Sequence, residues 1–273
     1  MTARFIRLAA FQNPEFYRAQ SMRFPTFGKP RIISCAELHP RHVGLPRGCL
    51  DEVVELIRDE GAEVEIDDQR AIVNPLSIRV QFQGTLHSLQ INAFDALAPH
   101  DYGVLAATTA FGKTVVAAAL IAQRARNALV LVHRRELLSQ WVERLKAFLD
   151  IDPKDIGIIG GGHRKPTGII DVALIQSLVR QGEVSDLVAD YGHLIVDECH
   201  HLSAVSFELV ARRAKARFVL GLSATVARKD GHHPIIFMQC GPVRHRVDAR
   251  AQTAGRGVSH RGKLRSTEFQ LPQ

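Results

Sequence analysis

The chain has 273 residues, 46% of them hydrophobic and 23% charged, and 35 Lys and Arg against 28 Asp and Glu leave a net charge of +7. This composition excludes a wholly disordered, collagen-like or coiled-coil chain, and the length allows one or two domains with a sizeable core. The longest apolar run, Val115 to Ala122, falls far short of a membrane span. The N-terminus carries no cleavable secretory pattern. Cys35, Cys49, Cys199 and Cys240 form no CxxC pair, so neither a disulfide framework nor a zinc ribbon is expected. A reduced, cytoplasmic protein without membrane contact is the expectation.

Residues 1–80 carry 11 basic and 11 acidic side chains and read as a small α+β module. Leu50, Val53, Val54 and Ile57 recur at helical spacing within Gly48–Glu60, and Gly61 is a natural stop. The alternation in AEVEI at 62–66 predicts a strand with one wet face. Residues 81–230 then alternate short apolar runs with helical stretches. The runs are at 103–107, 128–132, 156–159, 171–175, 193–197 and 218–222; the clearest helices are Thr114–Arg126 and Arg135–Leu149. Near-continuous apolar strands between amphipathic helices predict an α/β domain with a mainly parallel sheet covered on both faces. Residues 231–273 show little periodicity and read as a basic linker or the truncated start of a second domain. The basic excess sits late: residues 212–273 hold 13 basic and 3 acidic side chains. That imbalance suits an anionic polymer, and equally a solvated tail.

Two motifs carry chemistry. ATTAFGKT, from Ala107 through Thr108, Thr109, Ala110, Phe111, Gly112 and Lys113 to Thr114, follows a strand and opens a helix. In that setting loop amides and the helix N-terminus face phosphates, Lys113 reaches the β- and γ-phosphates, and the Thr114 hydroxyl coordinates Mg²⁺. The pattern departs from GxxxxGK[ST] at Ala107, where the first Gly is expected. Further along, Asp197 and Glu198 end the apolar run HLIV. Two carboxylates at the end of a buried strand fall beside the loop in an open α/β sheet: Asp197 for the Mg²⁺ shell, Glu198 to polarise the attacking water. Zinc at Cys199, His200 and His201 is the poorer reading, because adjacent side chains diverge and no matching pair lies at ligand spacing. Ser223-Ala224-Thr225 closes the next strand, 26 residues after Asp197.

The ordered set ATTAFGKT, HRREL, DECH and SAT resembles the first RecA-like domain of superfamily 2 helicases of the DEAD/DEAH-like group, with spacing most like XPB-like and restriction-type members. The text from RLAAFQNPEFYRAQ to GKPRIISCAELHPRHVGLPRG is similar to the helicase portion of primase-linked TOTE conflict system proteins. The first 80 residues are similar to the small DNA-recognition module that precedes the motor in XPB-like proteins.

The resemblance implies a RecA-like P-loop fold over 81–230, with ATP and Mg²⁺ as cofactors and nucleic acid, DNA foremost, as partner. It implies that Gln90 reads adenine and that Arg135, Gln140 and Gln176 meet the nucleic-acid backbone. His200, Ser223 and Thr225 would couple hydrolysis to strand movement. It also implies a second RecA-like domain supplying arginines, in trans or through a primase-linked system, because the 48 residues after Thr225 are too few for one. Gln252–Arg256 imitates the start of the arginine motif at a place where no sheet intervenes. The expected activity is that of an ATP-dependent helicase or translocase portion, weak when alone. The alternative is a non-enzymatic nucleotide- or DNA-binding fragment.

Overall fold

The computed structural model describes residues 2–68, 70, 78–199, 204–224 and 234–247. Helix α1 (Thr2–Leu8) leads into strand β1 (Ala10–Gln12), which pairs antiparallel with β2 (Ile32–Ser34) around helix α2 (Pro14–Ser21). Local chemistry starts α2: the Asn13 side chain accepts the Glu15 amide, and Pro14 takes the first helical position, where its missing N–H costs nothing. A short ladder of β3 (Glu37–Leu38) and β4 (Val43–Gly44) precedes helix α3 (Leu50–Asp59).

The α/β part follows in chain order: α4 (Ser88–Leu97), β5 (Tyr102–Ala106), α5 (Lys113–Arg124), β6 (Ala128–Val132), α6 (Arg135–Phe148), β7 (Ile156–Gly160), β8 (His163–Lys165) and β9 (Ile170–Leu174). Then come α7 (Ile175–Leu178), the hairpin β10 (Val179–Arg180) and β11 (Glu183–Val184), β12 (His193–Val196), α8 (Ala204–Arg213), β13 (Phe218–Ser223), α9 (Pro234–Cys240) and β14 (Val243–Arg246). Among the described residues the main sheet has the order β14-β5-β13-β12-β6-β9-β7-β8, parallel throughout except for the β7–β8 hairpin. Every residue of β5, β6, β9 and β12 is buried, which is why these strands read as continuous apolar runs. No helix among the described residues is long and apolar enough to cross a membrane.

Each face of the sheet has its own core. Helices α4, α5 and α6 cover one face with Leu97, Val116, Leu120, Trp141 and Leu145. Phe207 and Val210 of α8 and Ile235 and Met238 of α9 cover the other, where Ala9, Cys35 and Cys49 of the N-terminal region join the same cluster. Two adjacent residues fasten that region. The Arg47 guanidinium donates to the carbonyls of Ala211, Ala214 and Ala216 at 3.0, 2.6 and 3.0 Å, satisfying backbone acceptors at the end of α8. Gly48 lies so close to α9 that a Cβ would run into the Phe237 carbonyl oxygen.

Two expectations are corrected. Residues 62–66 form no strand: no edge among the described residues pairs with them, and Ile66 is 61% exposed. Residues 234–247 are not a linker. The apolar run PIIFMQC buries Ile235, Ile236, Met238 and Cys240 as α9, and β14 then covers the edge of β5. The main sheet therefore extends past residue 231.

Candidate functional site

The site is assembled at the carboxyl ends of β5, β12 and β13. The loop after β5 turns through Gly112, whose φ of 86° is in the left-handed region open to glycine. A Cβ there would stand 2.6 Å from the Gln90 side-chain nitrogen, so the turn presents bare backbone. Gln90, 5% exposed, braces the loop from α4: its Nε2 donates to the Phe111 carbonyl at 3.0 Å, and its Oε1 accepts the His87 amide. His87 stands edge-on to the Phe111 ring, 5.8 Å between centroids.

The loop residues are not equivalent. The Ala107 amide donates to the Ser223 carbonyl at 2.9 Å and the Phe111 amide to Thr108 at 3.1 Å, so neither points a free N–H at a ligand. The Ala107 amide thus ties the start of the loop to the end of β13. The amides of Lys113 and Thr114 open α5, where helix geometry leaves them without a carbonyl four residues back.

Lys113 Nζ donates to the Ala107 carbonyl at 3.0 Å and pairs with Glu198 Oε1 at 3.0 Å. Glu198 Oε2 accepts the Ala224 amide at 3.3 Å. One carboxylate thus joins the loop lysine to the SAT segment. Glu198 has a φ of 45°, a costly conformation for a residue with a side chain. Asp197 beside it is 7% exposed; burial pushes its carboxyl above the usual range, against a hydrogen bond from Trp141. That bond runs from the indole Nε1 to Asp197 Oδ2 at 2.7 Å. Asp197, Glu198, Gly112, Lys113, Thr114, Gln140, Trp141 and Arg144 border a cleft of about 690 Å³, within the range for small-molecule sites.

A second group gathers along the rim. Arg135 is exposed at the first residue of α6, and Gln176 Nε2 donates to the His133 carbonyl at 3.4 Å. Gly161 in the β7–β8 turn lies beside Arg135, its would-be Cβ 4.0 Å from Arg135 Cγ. Gln140, on the same helix as Arg135, borders the loop-side cleft. Ser223 is buried at the end of β13. His200, His201, Thr225, the Gln252–Arg256 stretch and the tail cations from Arg250 onward lie outside the described residues. Sequence reasoning passed over Trp141, the Ala224 amide and the Gly160–Gly162 turn. Trp141 stood inside the HRRELLSQW text, but nothing local to it names a partner 56 residues away.

The model of the type III restriction enzyme res subunit family matches residues 83–228, over half of the chain. The DNA 3'-5' translocase XPB2 of Sulfurisphaera tokodaii is 30% identical over 191 residues, covering 70% of this chain and 42% of that protein. The DNA 3'-5' helicase XPB of Mycobacterium tuberculosis is 32% identical over 178 residues, covering 63% of this chain and 32% of the relative. The chain spans 42%, 27% and 52% of the first three curated relatives it matches. In fold it is similar to the UvsW helicase of bacteriophage T4, with a TM-score of 0.65 at 18% identity over 88% of this chain and 91% of that one. With the family match spanning the loop, the carboxylate pair and the SAT segment, the chain belongs to the type III restriction enzyme res subunit family and carries the first RecA-like domain of a superfamily 2 helicase.

Proposed function

We propose that this chain is the ATP-binding portion of a DNA helicase or translocase, hydrolysing ATP to ADP and phosphate with a second RecA-like domain. The observation that carries the reading is the Lys113–Glu198–Ala224 chain of contacts, which joins the loop, the carboxylate pair and the SAT segment. DNA as the polymer is taken from the names of the XPB relatives.

The donor set suits a hard cation: a hydroxyl and a buried carboxylate, Thr114 and Asp197, border one cleft and offer oxygen only. These two residues would hold Mg²⁺, which when bound neutralises phosphate charge and orients the β- and γ-oxygens. The chain's own groups do the rest. Amides at the start of α5 receive phosphate oxygens, and Lys113 exchanges Glu198 for the incoming phosphates. Glu198, released from the ammonium, accepts a proton from the attacking water. Its second oxygen keeps the Ala224 amide, which ties the proton acceptor to the segment implied to couple hydrolysis to strand movement. Gln90 holds the loop in its open-backbone form. Arg135 and Gln176 would receive the nucleic-acid backbone on the rim.

The test is a titration with a fluorescent ATP analogue, followed by steady-state ATPase assays with and without DNA. Mg²⁺-dependent binding and DNA-stimulated turnover are expected. Binding without turnover, even when a second RecA-like domain is supplied, would favour the non-enzymatic alternative. An absence of nucleotide binding would overturn the assignment.

A further inference from the structure

Trp141 is the chain's single tryptophan and one of its largest fully buried side chains, 2% exposed. An indole has one N–H donor and no acceptor, and this one is aimed at Asp197 Oδ2. The Asp197 backbone is separately fixed, its amide donating to the Leu131 carbonyl on β6 at 2.9 Å. A carboxylate with its main chain held still has only side-chain rotation left, and a bond to one oxygen fixes both. Trp141 and Arg135 stand six residues apart on α6, about 9 Å along the axis. The Arg135 end lies at the rim beside Gly161, and the Trp141 face meets the cleft. Displacement of the rim end of a rigid helix moves the indole with it.

We propose that Trp141 is a positioning residue for Asp197, and that α6 carries nucleic-acid contact at Arg135 to this carboxylate through the one indole hydrogen bond. The inference rests on the reading of Asp197 as a Mg²⁺-holding group and of Arg135 as a nucleic-acid contact. It makes α6 a lever joining the two sites within one domain, in addition to any closure against a second domain.

Two measurements on the full chain test it. First, the Trp141→Phe variant keeps most of the ring volume and removes the donor. Its Mg²⁺ requirement for binding a fluorescent ATP analogue should rise about tenfold, as when the partner of a metal-holding side chain is lost, while binding in EDTA stays at the parent value. An unchanged Mg²⁺ dependence, or equal weakening with and without Mg²⁺, would assign Trp141 a packing role only and overturn the proposal. Second, because Trp141 is the only tryptophan, the emission of the parent chain reports this contact. A single-stranded oligonucleotide, added without nucleotide or metal, should change the emission with the midpoint seen by anisotropy of the labelled strand. The change should disappear in Arg135→Ala at concentrations that restore saturation. Saturating anisotropy with unmoved emission would overturn the lever, and this readout decides the matter if Trp141→Phe does not fold. If the parent binds neither the ATP analogue nor the oligonucleotide, the functional reading fails and this inference with it. If it binds both and the two Trp141 readouts stay flat, only the role of Trp141 fails.

Discussion

His193 and Asp197 stand at opposite ends of β12, both buried, and their surroundings solve the burial of polar groups in two ways. At the amino end His193 Nε2 lies 2.7 Å from the Arg124 guanidinium, which also donates to the His100 carbonyl at 3.0 Å and sits 4.7 Å above the Phe218 ring. Burial holds His193 well below the usual imidazole range and brings Arg124 down to about 10. Partners here are backbone, a ring and a neutral imidazole, none of which a ligand would replace. At the carboxyl end the ammonium of Lys113 meets the carboxylate of Glu198 on strained backbone beside a cleft. Those partners are exchangeable. The difference between a structural polar cluster and a working one lies in whether a group's present partner can leave without stranding a buried charge.

Substitutions at the two ends should therefore separate function from stability. The largest effect is expected from Glu198→Gln, which keeps shape and removes the proton acceptor. Turnover should fall about 10²–10⁴-fold while ATP-analogue affinity stays near the parent's; parent-like hydrolysis would place the base elsewhere. Lys113→Ala should weaken the analogue by roughly tenfold or more, since a charge-assisted contact is worth about 1.5–3 kcal/mol. Unaltered affinity by fluorescence titration would remove the loop from the site.

At the other end the pattern should invert. Arg124→Leu strands the His100 carbonyl and His193 Nε2 and should cost about 2 kcal/mol in urea unfolding, with nucleotide affinity intact. A stable variant with lost binding would erase the contrast. The same cluster should set an acid limit. The folded chain keeps His193 neutral, whereas the unfolded chain takes up a proton near the ordinary value of about 6.5. The contribution of His193 to stability is therefore fully present above that pH and lost as the pH falls below it, and the loss should shrink in His193→Gln, with His100 and His245, also held down by burial, keeping the remainder, measured by thermal melts.

The smallest effect concerns the sequence after the sheet. Removing residues 248–273 deletes Arg250, Arg256, Arg261, Lys263 and Arg265 and leaves α9 and β14 in place. The slope of log affinity for DNA against log salt should flatten, whereas Arg135→Ala should change it by about one or less. Equal slopes for parent and deletion would assign the tail cations no part in binding.

What could be read in advance followed from burial and spacing. Strands such as ALVLV declared themselves because both of their faces are covered, and the carboxylate pair and GKT loop because each needs particular residues at a strand end. Arg47 was silent: its acceptors are carbonyls up to 169 residues away, and carbonyls have no sequence signature. The Trp141 donor has no local signature, because it matters only once β12 is laid beside β6. VRHR hid as a strand for a related reason. It is an edge strand with a half-wet face, so β14 lacks the apolar run that marked its neighbours. Gln90 was expected to face a base, and its loop-bracing contacts depend on the local path of Phe111 and Gly112.

Strand β14 has one more consequence. It runs parallel to β5, and the Val247 amide donates to the Ala106 carbonyl at 2.8 Å, one residue short of the phosphate loop. The last described strand thus ends beside the start of the Ala107–Thr114 loop. A segment or domain joined at residue 248 would be tethered beside that loop, and a short flexible tether sustains an effective concentration on the order of millimolar. A partner attached there would need only weak intrinsic affinity to meet the Lys113–Glu198 pair repeatedly, and could let go as readily between turnovers.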